Sequence, residues 1–235
     1  YDMMIIGEVL ESTDGLGVFV RPDSPIAQAT GYNPSYPNVL GSPETVKGIT
    51  MLLPIGTAQH FTALKWLEKL GLGITDVNIV NMDTAQAYQA LQAKQCDAVS
   101  LNVPTFFDAE NDGMVQVGNL ADLGTRYVDM VVANRKAVEG QPELVQKYID
   151  CITEACAALN ADPDMAADLF VEYLKEAGAE TTRENCVSDL SRVNFIEQKD
   201  WKERSLGNFA KELGEFYINL GQLEPELIDK FETNI

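Results

Sequence analysis

The chain has 235 residues, 46% of them hydrophobic, with 17 basic against 36 acidic groups and a formal net charge of −19 at pH 7. This is enough for one large or two modest domains, each with a real core. The acidic balance argues against nonspecific nucleic-acid binding, which needs basic patches to displace phosphate counterions, and against docking on anionic lipid. No apolar run approaches the roughly 20 residues of a membrane span, and aromatic, periodic stretches throughout argue against disorder.

Tyr1 stands first with no signal peptide ahead of it, which reads as a processed chain or a fragment. Residues 3–9 and 16–20 are apolar runs of strand length, separated by the turn chemistry of Glu11-Ser12-Thr13-Asp14-Gly15. Residues 22–43 hold prolines at 22, 25, 34, 37 and 43 and read as an exposed excursion. Residues 49–53 read as a buried strand, and Gly56-Thr57 opens a helix with Phe61, Leu64, Leu67 and Leu70 on one face, ended by Gly71 and Gly73. Residues 77–81 form the next strand, and Asp83-Thr84 is an N-cap signal before Ala85, Tyr88 and Leu91. Further strands are read at 97–101 and 128–132. Strands alternating with helices imply βαβ units and a parallel sheet covered on both faces.

After Arg135 the pattern turns helical. Pro142 starts a helix with the stripe Val145, Tyr148, Ile149, Ile152, Cys156 and Leu159. Asp162-Pro163 caps another, with Ala166, Leu169, Phe170, Tyr173 and Leu174 expected to face inward. A long amphipathic stretch covers 199–220, with Trp201, Phe209, Leu213, Phe216 and Leu220 as core aromatics and aliphatics. The four cysteines read as buried free thiols: Cys151 and Cys156 lie five apart on one helix and point in different directions. His60 is the only histidine and there is no close cysteine pair, so zinc is not expected.

The segment Pro54-Ile55-Gly56-Thr57-Ala58-Gln59-His60 joins a strand to a helix. Gly56 allows a sharp turn and close approach, Thr57 can cap, and the amides of Ala58, Gln59 and His60 would point into the crevice beyond the strand's carboxyl end. Oxyanions bind such places, where the helix dipole contributes roughly half a positive charge. A plain capped helix with nothing bound fits the same residues. His60 either donates to a ligand oxygen or lies at the surface; Asp83 and Thr84 either contact a ligand or merely cap; Asn102 is an amide donor or a turn residue. Asp108, Glu110 and Asp112 read as a solvated loop. No G-x-G-x-x-G, Walker or G-x-S-x-G pattern is present.

The runs KGITMLLPIGTAQHFTALKWLEKLGL, DVNIVNMDTAQAYQALQAKQCDAVSL and YVDMVVANRKAVEGQPELVQKYIDC resemble the extracytoplasmic solute-binding proteins of ABC transporters. They are most similar to the nitrate, sulfonate and taurine binders, a group that also holds binders of thiamine-pyrimidine precursors. Carried onto this chain, the family's ligand-contacting G-[ST]-x-x-H turn is Gly56, Thr57 and His60. The sulfonate binders' Trp-Asp-Pro is replaced by Asn102-Val103-Pro104, which puts a sulfonate in doubt. The resemblance implies an α/β, type II periplasmic-binding-protein-like fold of two lobes with parallel-rich sheets, lacking the N-terminal part of its first lobe. Residues 1–21 would be hinge-proximal strands of that lobe, 22–132 the second lobe and 133–235 the helical remainder of the first.

The implied activity is capture of a small polar or anionic solute by hinge closure and delivery to a membrane ABC permease. No catalysis, cofactor, metal or nucleic acid is expected, and the protein would act as a monomer in the periplasm or lipid-anchored outside the cell membrane. The expected ligand contacts are Gly56, Thr57, Ala58, His60, Asp83, Thr84 and Asn102. Two other classes remain open: the ligand-sensing domain of a transcription regulator, and a thiamine-pyrimidine-synthase-like enzyme on the same fold.

Overall fold

A computed structural model describes residues 2–179 and 181–230. In chain order the elements are β1 (Met3–Ser12), β2 (Leu16–Val20), α1 (Pro25–Gln28), α2 (Pro43–Val46), β3 (Thr50–Leu53), α3 (Ala58–Lys69), β4 (Asn78–Asn81), α4 (Thr84–Gln92), β5 (Ala98–Asn102) and α5 (Thr105–Asn111). They continue with β6 (Val115–Asn119), β7 (Tyr127–Asn134), α6 (Arg135–Gly140), α7 (Pro142–Ala161), α8 (Pro163–Glu176), α9 (Arg183–Leu190), β8 (Val193–Phe195), α10 (Trp201–Arg204) and α11 (Asn208–Asn219). The strands form a five-stranded sheet, β4-β3-β5-β2-β6, and a three-stranded sheet, β7-β1-β8.

Side-chain alternation in the larger sheet builds two cores. Val18, Val20, Met51 and Leu53 face one way, packing on Leu64, Trp66 and Leu67 of α3. Phe19, Leu52, Val99 and Leu101 face the other way, against Tyr88 and Leu91 of α4 and Phe106 and Phe107 of α5. Because β2 lies between β5 and β6 with both faces covered, all five of its residues are buried, as an unbroken apolar run requires.

The sheets are less parallel than the alternation suggests. β3 runs parallel to β4 and β5, but β2 is antiparallel to both β5 and β6, and β7 is antiparallel to β1 in the other sheet. The βαβ rhythm holds only where a helix carries the chain back, from β3 to β5; β2 enters directly from another sheet and is free of that rule. The strands β6 and β8 escape the sequence reading. Asp108 and Glu110 lie on α5 and Asp112 is its C-cap, so the expected loop is helical. The amphipathic stretch 199–220 is two helices, broken where Ser205 (φ 57°) and Gly207 (φ 80°) turn left-handed. Cys96, Cys156 and Cys186 are buried free thiols, whereas Cys151 is exposed.

The chain passes between the sheets twice, and the two passages lie side by side. β1 ends at Ser12, opposite Tyr127 of β7. β2 begins at Leu16, and its Gly17 stands opposite Asn119 at the end of β6. Residues 13–15 and 120–126 are therefore neighbouring crossings. α11 packs on both sides of them: Phe209 joins Val128 and Ile196, while Phe216, Tyr217 and Leu220 pack on the larger core. Arg192, between α9 and β8, reaches across as well, its guanidinium about 5.0 Å from the Phe106 ring centre and 3.8 Å from Glu110.

Behind β1, the buried Glu8 carboxylate accepts from Arg204 Nε at 3.1 Å and the Gly207 amide at 3.4 Å, and Arg204 also pairs with Glu11. These contacts compensate a charge that burial alone would strongly disfavour. Trp201 closes the same region, donating to the Glu8 carbonyl at 2.9 Å, and a Cβ at Gly7 would sit 2.8 Å from its ring.

Beside the first crossing, Asp189 is 9% exposed, and burial pushes its carboxyl up to about 6 against the pull of Arg192. A carboxyl whose pKa is raised on folding binds more protons native than unfolded, so its contribution to stability is full below about pH 4 and is lost as pH rises towards 6. Asp189→Asn should therefore match the parent protein at pH 3.5 and exceed it by about 2 kcal/mol at pH 7, measured by urea unfolding at both pH values.

Candidate functional site

The carboxyl ends of the parallel strands β3, β4 and β5 each lead within a few residues to a helix, α3, α4 and α5. Such an edge gathers helix N-termini and is where open α/β sheets place their ligands. The β3–α3 turn is pinned from three sides. Ile55 N–H donates to Asn81 Oδ1 at 2.8 Å, Gly56 N–H to His60 Nδ1 at 3.3 Å, and the Thr57 hydroxyl to the Pro54 carbonyl at 2.7 Å. Gly56 is exposed with φ +81°, a left-handed turn that only glycine enters without strain.

Thr57 occupies the N-cap position of α3, but its hydroxyl points back to Pro54 and makes no cap hydrogen bond. The expectation that it caps is thus corrected. The consequence favours a ligand: the first-turn amides have no carbonyl one turn earlier and receive no side-chain oxygen from their N-cap. At α4 the cap is made in the ordinary way, Asp83 Oδ1 accepting from the Ala85 amide at 3.0 Å, so that carboxylate is occupied.

Gln59 draws the three junctions together. It is 7% exposed, and its Nε2 donates to Thr84 Oγ1 at 3.1 Å and to Asn102 Oδ1 at 2.9 Å. With their oxygens held as acceptors, the Thr84 hydroxyl proton and the Asn102 Nδ2 remain as donors. Asn102 is further fixed by the Thr105 hydroxyl on its carbonyl, 2.8 Å. Thr57, Ala58, Thr84 and Asn102 are all half-buried.

His60 is neither a surface residue nor a cation. It is 2% exposed, packed 6.2 Å from the Tyr217 ring of α11, and its Nε2 is buried without a hydrogen-bond partner. Burial lowers its pKa, so the ring is neutral at neutral pH. Positive potential at this edge therefore comes from the α3 amides and dipole, and it acts locally despite the net charge of −19 because distant carboxylates are screened.

The structure thus brings Thr84 and Asn102 together on Gln59 and places Gly56, Thr57 and Ala58 in the pinned turn; it gives Asp83 to a cap and His60 to the packing behind α3. Gln59 and Asn81 are the side chains that sequence reasoning missed. Asn81 carries no signal beyond its place at a strand end. Gln59 does: it falls on the stripe of Ala63, Trp66, Leu67 and Leu70, and a polar residue at the end of an apolar stripe needs a buried partner.

An α/β sheet with polar donors at its strand ends, doubly crossed to a second sheet, is the periplasmic-binding-protein fold. The crystal structure of the periplasmic aliphatic sulphonate binding protein SsuA from Escherichia coli superposes with a TM-score of 0.70 at 18% identity, over 100% of this chain and 73% of that one. Residues 36–166 match the family described as NMT1/THI5 like, and the chain belongs to that family. Among curated relatives, a protein of Brachyspira hyodysenteriae with the provisional name ABC transporter periplasmic binding protein is 33% identical over 235 residues, 100% of this chain and 68% of that protein. The taurine-binding periplasmic protein of Escherichia coli is 24% identical over 163 residues, 68% of this chain and 47% of that one.

Gln59→Leu keeps the volume but removes the donor shared by Thr84 and Asn102. It should lower stability by about 1–2 kcal/mol, read as a lower urea midpoint at unchanged slope.

Proposed function

We propose that this protein is the solute-capturing component of an ABC import system, working outside the cytoplasmic membrane and passing its solute to a membrane permease. The observation that carries the reading is the convergence of Thr84 and Asn102 on buried Gln59, beside the uncapped first turn of α3. Those groups are amides and a hydroxyl, donors that fit an oxyanion. Family membership and the names of the Brachyspira and Escherichia relatives support it too.

The ligand is a small solute bearing an oxyanion, held by Thr57, Ala58, Thr84 and Asn102, with Gly56 shaping the turn and His60 and Asp83 supporting it from behind. The lobes divide at the adjacent crossings 13–15 and 120–126, and closure about them would cover the exposed strand edge. Among the described residues no helix is long and apolar enough to cross a membrane.

A thermal-shift panel of taurine, alkanesulfonates, nitrate, hydroxymethylpyrimidine and aromatic acids tests the reading. A true ligand at 100 times its dissociation constant stabilises by about 2.7 kcal/mol, a midpoint shift on the order of 5–10 °C. Asn102→Ala and Thr84→Val should each reduce the shift, measured from each variant's own unliganded midpoint, which falls by about 2–6 °C because a buried Gln59 amide proton loses its acceptor. A well-folded sample that responds to none of these solutes would defeat it.

A further inference from the structure

His60 is the third residue of α3, and its side chain turns back over the helix start, where Nδ1 accepts the Gly56 amide at 3.3 Å. This is the reach of a capping box shifted by one residue, since in the usual box the third helical side chain takes the N-cap amide, here that of Thr57. An imidazole accepts on Nδ1 only while that nitrogen carries no proton, so the neutral ring keeps its hydrogen on Nε2. Nε2 is buried and has no hydrogen-bond partner among the described residues. The opposite tautomer would set two N–H groups against each other at the turn and leave Nε2 an equally unmet acceptor. The Gly56 contact therefore fixes the tautomer.

A proton on Nδ1 would face the Gly56 N–H, place a cation in the first turn of a helix and bury it. The surroundings supply no counter-charge: burial alone lowers the ring's pKa. Tyr217 of α11, the ring in contact with His60, keeps its proton because burial pushes its phenol up to about 12, and burial raises Tyr127 of β7 as well. Lys65 of α3 lies over the Phe216 ring at 4.1 Å and pairs with Glu68 at 2.9 Å. Glu215 and Glu212 of α11 line a groove with that pair, and Glu212 also meets Arg126 at 3.8 Å. Asp83 is engaged on the Ala85 amide. We infer that His60 is a positioning residue whose neutral ring holds the β3–α3 turn, and that proton uptake on Nδ1 releases Gly56 and dismantles the edge that holds the solute oxyanion. The loss of solute rests on the reading of that edge as the binding site, whereas the loosening of the turn stands without it. The turn is intact above the ring's ordinary pKa of 6.5 and loosens as pH falls through the lower folded value.

His60 is the chain's only histidine, so nitrogen-15-labelled protein gives one set of imidazole signals. At pH 7.5 the proton is expected on Nε2, with Nδ1 bare. The ring should titrate below 6.5, and the Gly56 amide signal should move with the same midpoint. His60→Asn carries an acceptor oxygen near the place of Nδ1 and does not titrate, so its Gly56 signal should stay constant from pH 7.5 to 5. His60→Phe keeps a ring without an acceptor, and its Gly56 amide should exchange about tenfold faster at every pH. A proton on Nδ1 at pH 7.5, a titration at or above 6.5, or a Gly56 signal that does not follow the ring overturns the inference. Nitrate and ethanesulfonate, anions across this range, then probe the edge. The affinity of whichever binds should fall about tenfold from pH 7.5 to 5 in the parent protein and less than twofold in His60→Asn. Equal falls in both overturn the coupling to binding. Binding of neither anion counts against the oxyanion site, and the ring's titration still decides whether His60 holds the turn.

Discussion

The antiparallel pairing of β2 with β5, Leu16 opposite Asn102, is the constraint on which the other features rest. β2 is buried on both faces, so its register cannot slip by one residue without turning Val18, Phe19 and Val20 into the wrong cores. That register sets the start of β2 against the end of β5. It therefore brings the first crossing between the sheets to the same edge where β3, β4 and β5 deliver their helix N-termini. The edge where the helix N-termini gather and the first crossing between the sheets are adjacent because one strand pair places them so.

Around that edge, polar groups hold one another instead of reaching a charged side chain. Gln59 spends both amide protons on Thr84 and Asn102, Asn81 steadies the turn at Ile55, and Thr57 turns back to Pro54. The arrangement is preorganised, because these acceptors are occupied internally. The buried, neutral His60 adds no charge; its Nε2 has no hydrogen-bond partner, and its ring packs near that of Tyr217. Since α11 carries Tyr217 and also anchors Phe209 beside β7, the packing behind α3 is coupled to the packing of the smaller sheet.

The electrostatics of the smaller sheet differ in kind. Glu8, Glu11, Arg204 and Arg126 form a part-buried network along β1, each charge close to an opposite one. Near the crossing, Asp14 and Asp189 are both shifted upward by burial, with Arg192 as the nearby cation that opposes it. Such a cluster concentrates polar groups at the point where the two sheets meet. The apolar helices α7 and α8 stand at the opposite extreme, with large side chains in the open.

Much was readable from the residues alone. Composition set the class, and the alternation of apolar runs with helical stripes located β2, β3, β4, β5 and the helices α3, α4, α7 and α8, because those periods reflect burial within single elements. The Gly56-Thr57 turn and the Asn102 strand end were legible for the same local reason. What the periods could not carry was partnership between elements: that β2 runs against β5, that β7 returns to β1, that Ser205 and Gly207 break a continuous stripe, and that Gln59 joins residues 25 and 43 positions away. Each depends on which surfaces meet, and a residue's spacing records that it is buried without recording against what. For Leu169 and Tyr173 even burial was misread, because a stripe states what a helix would cover, and only the folded chain decides whether anything is there to cover it.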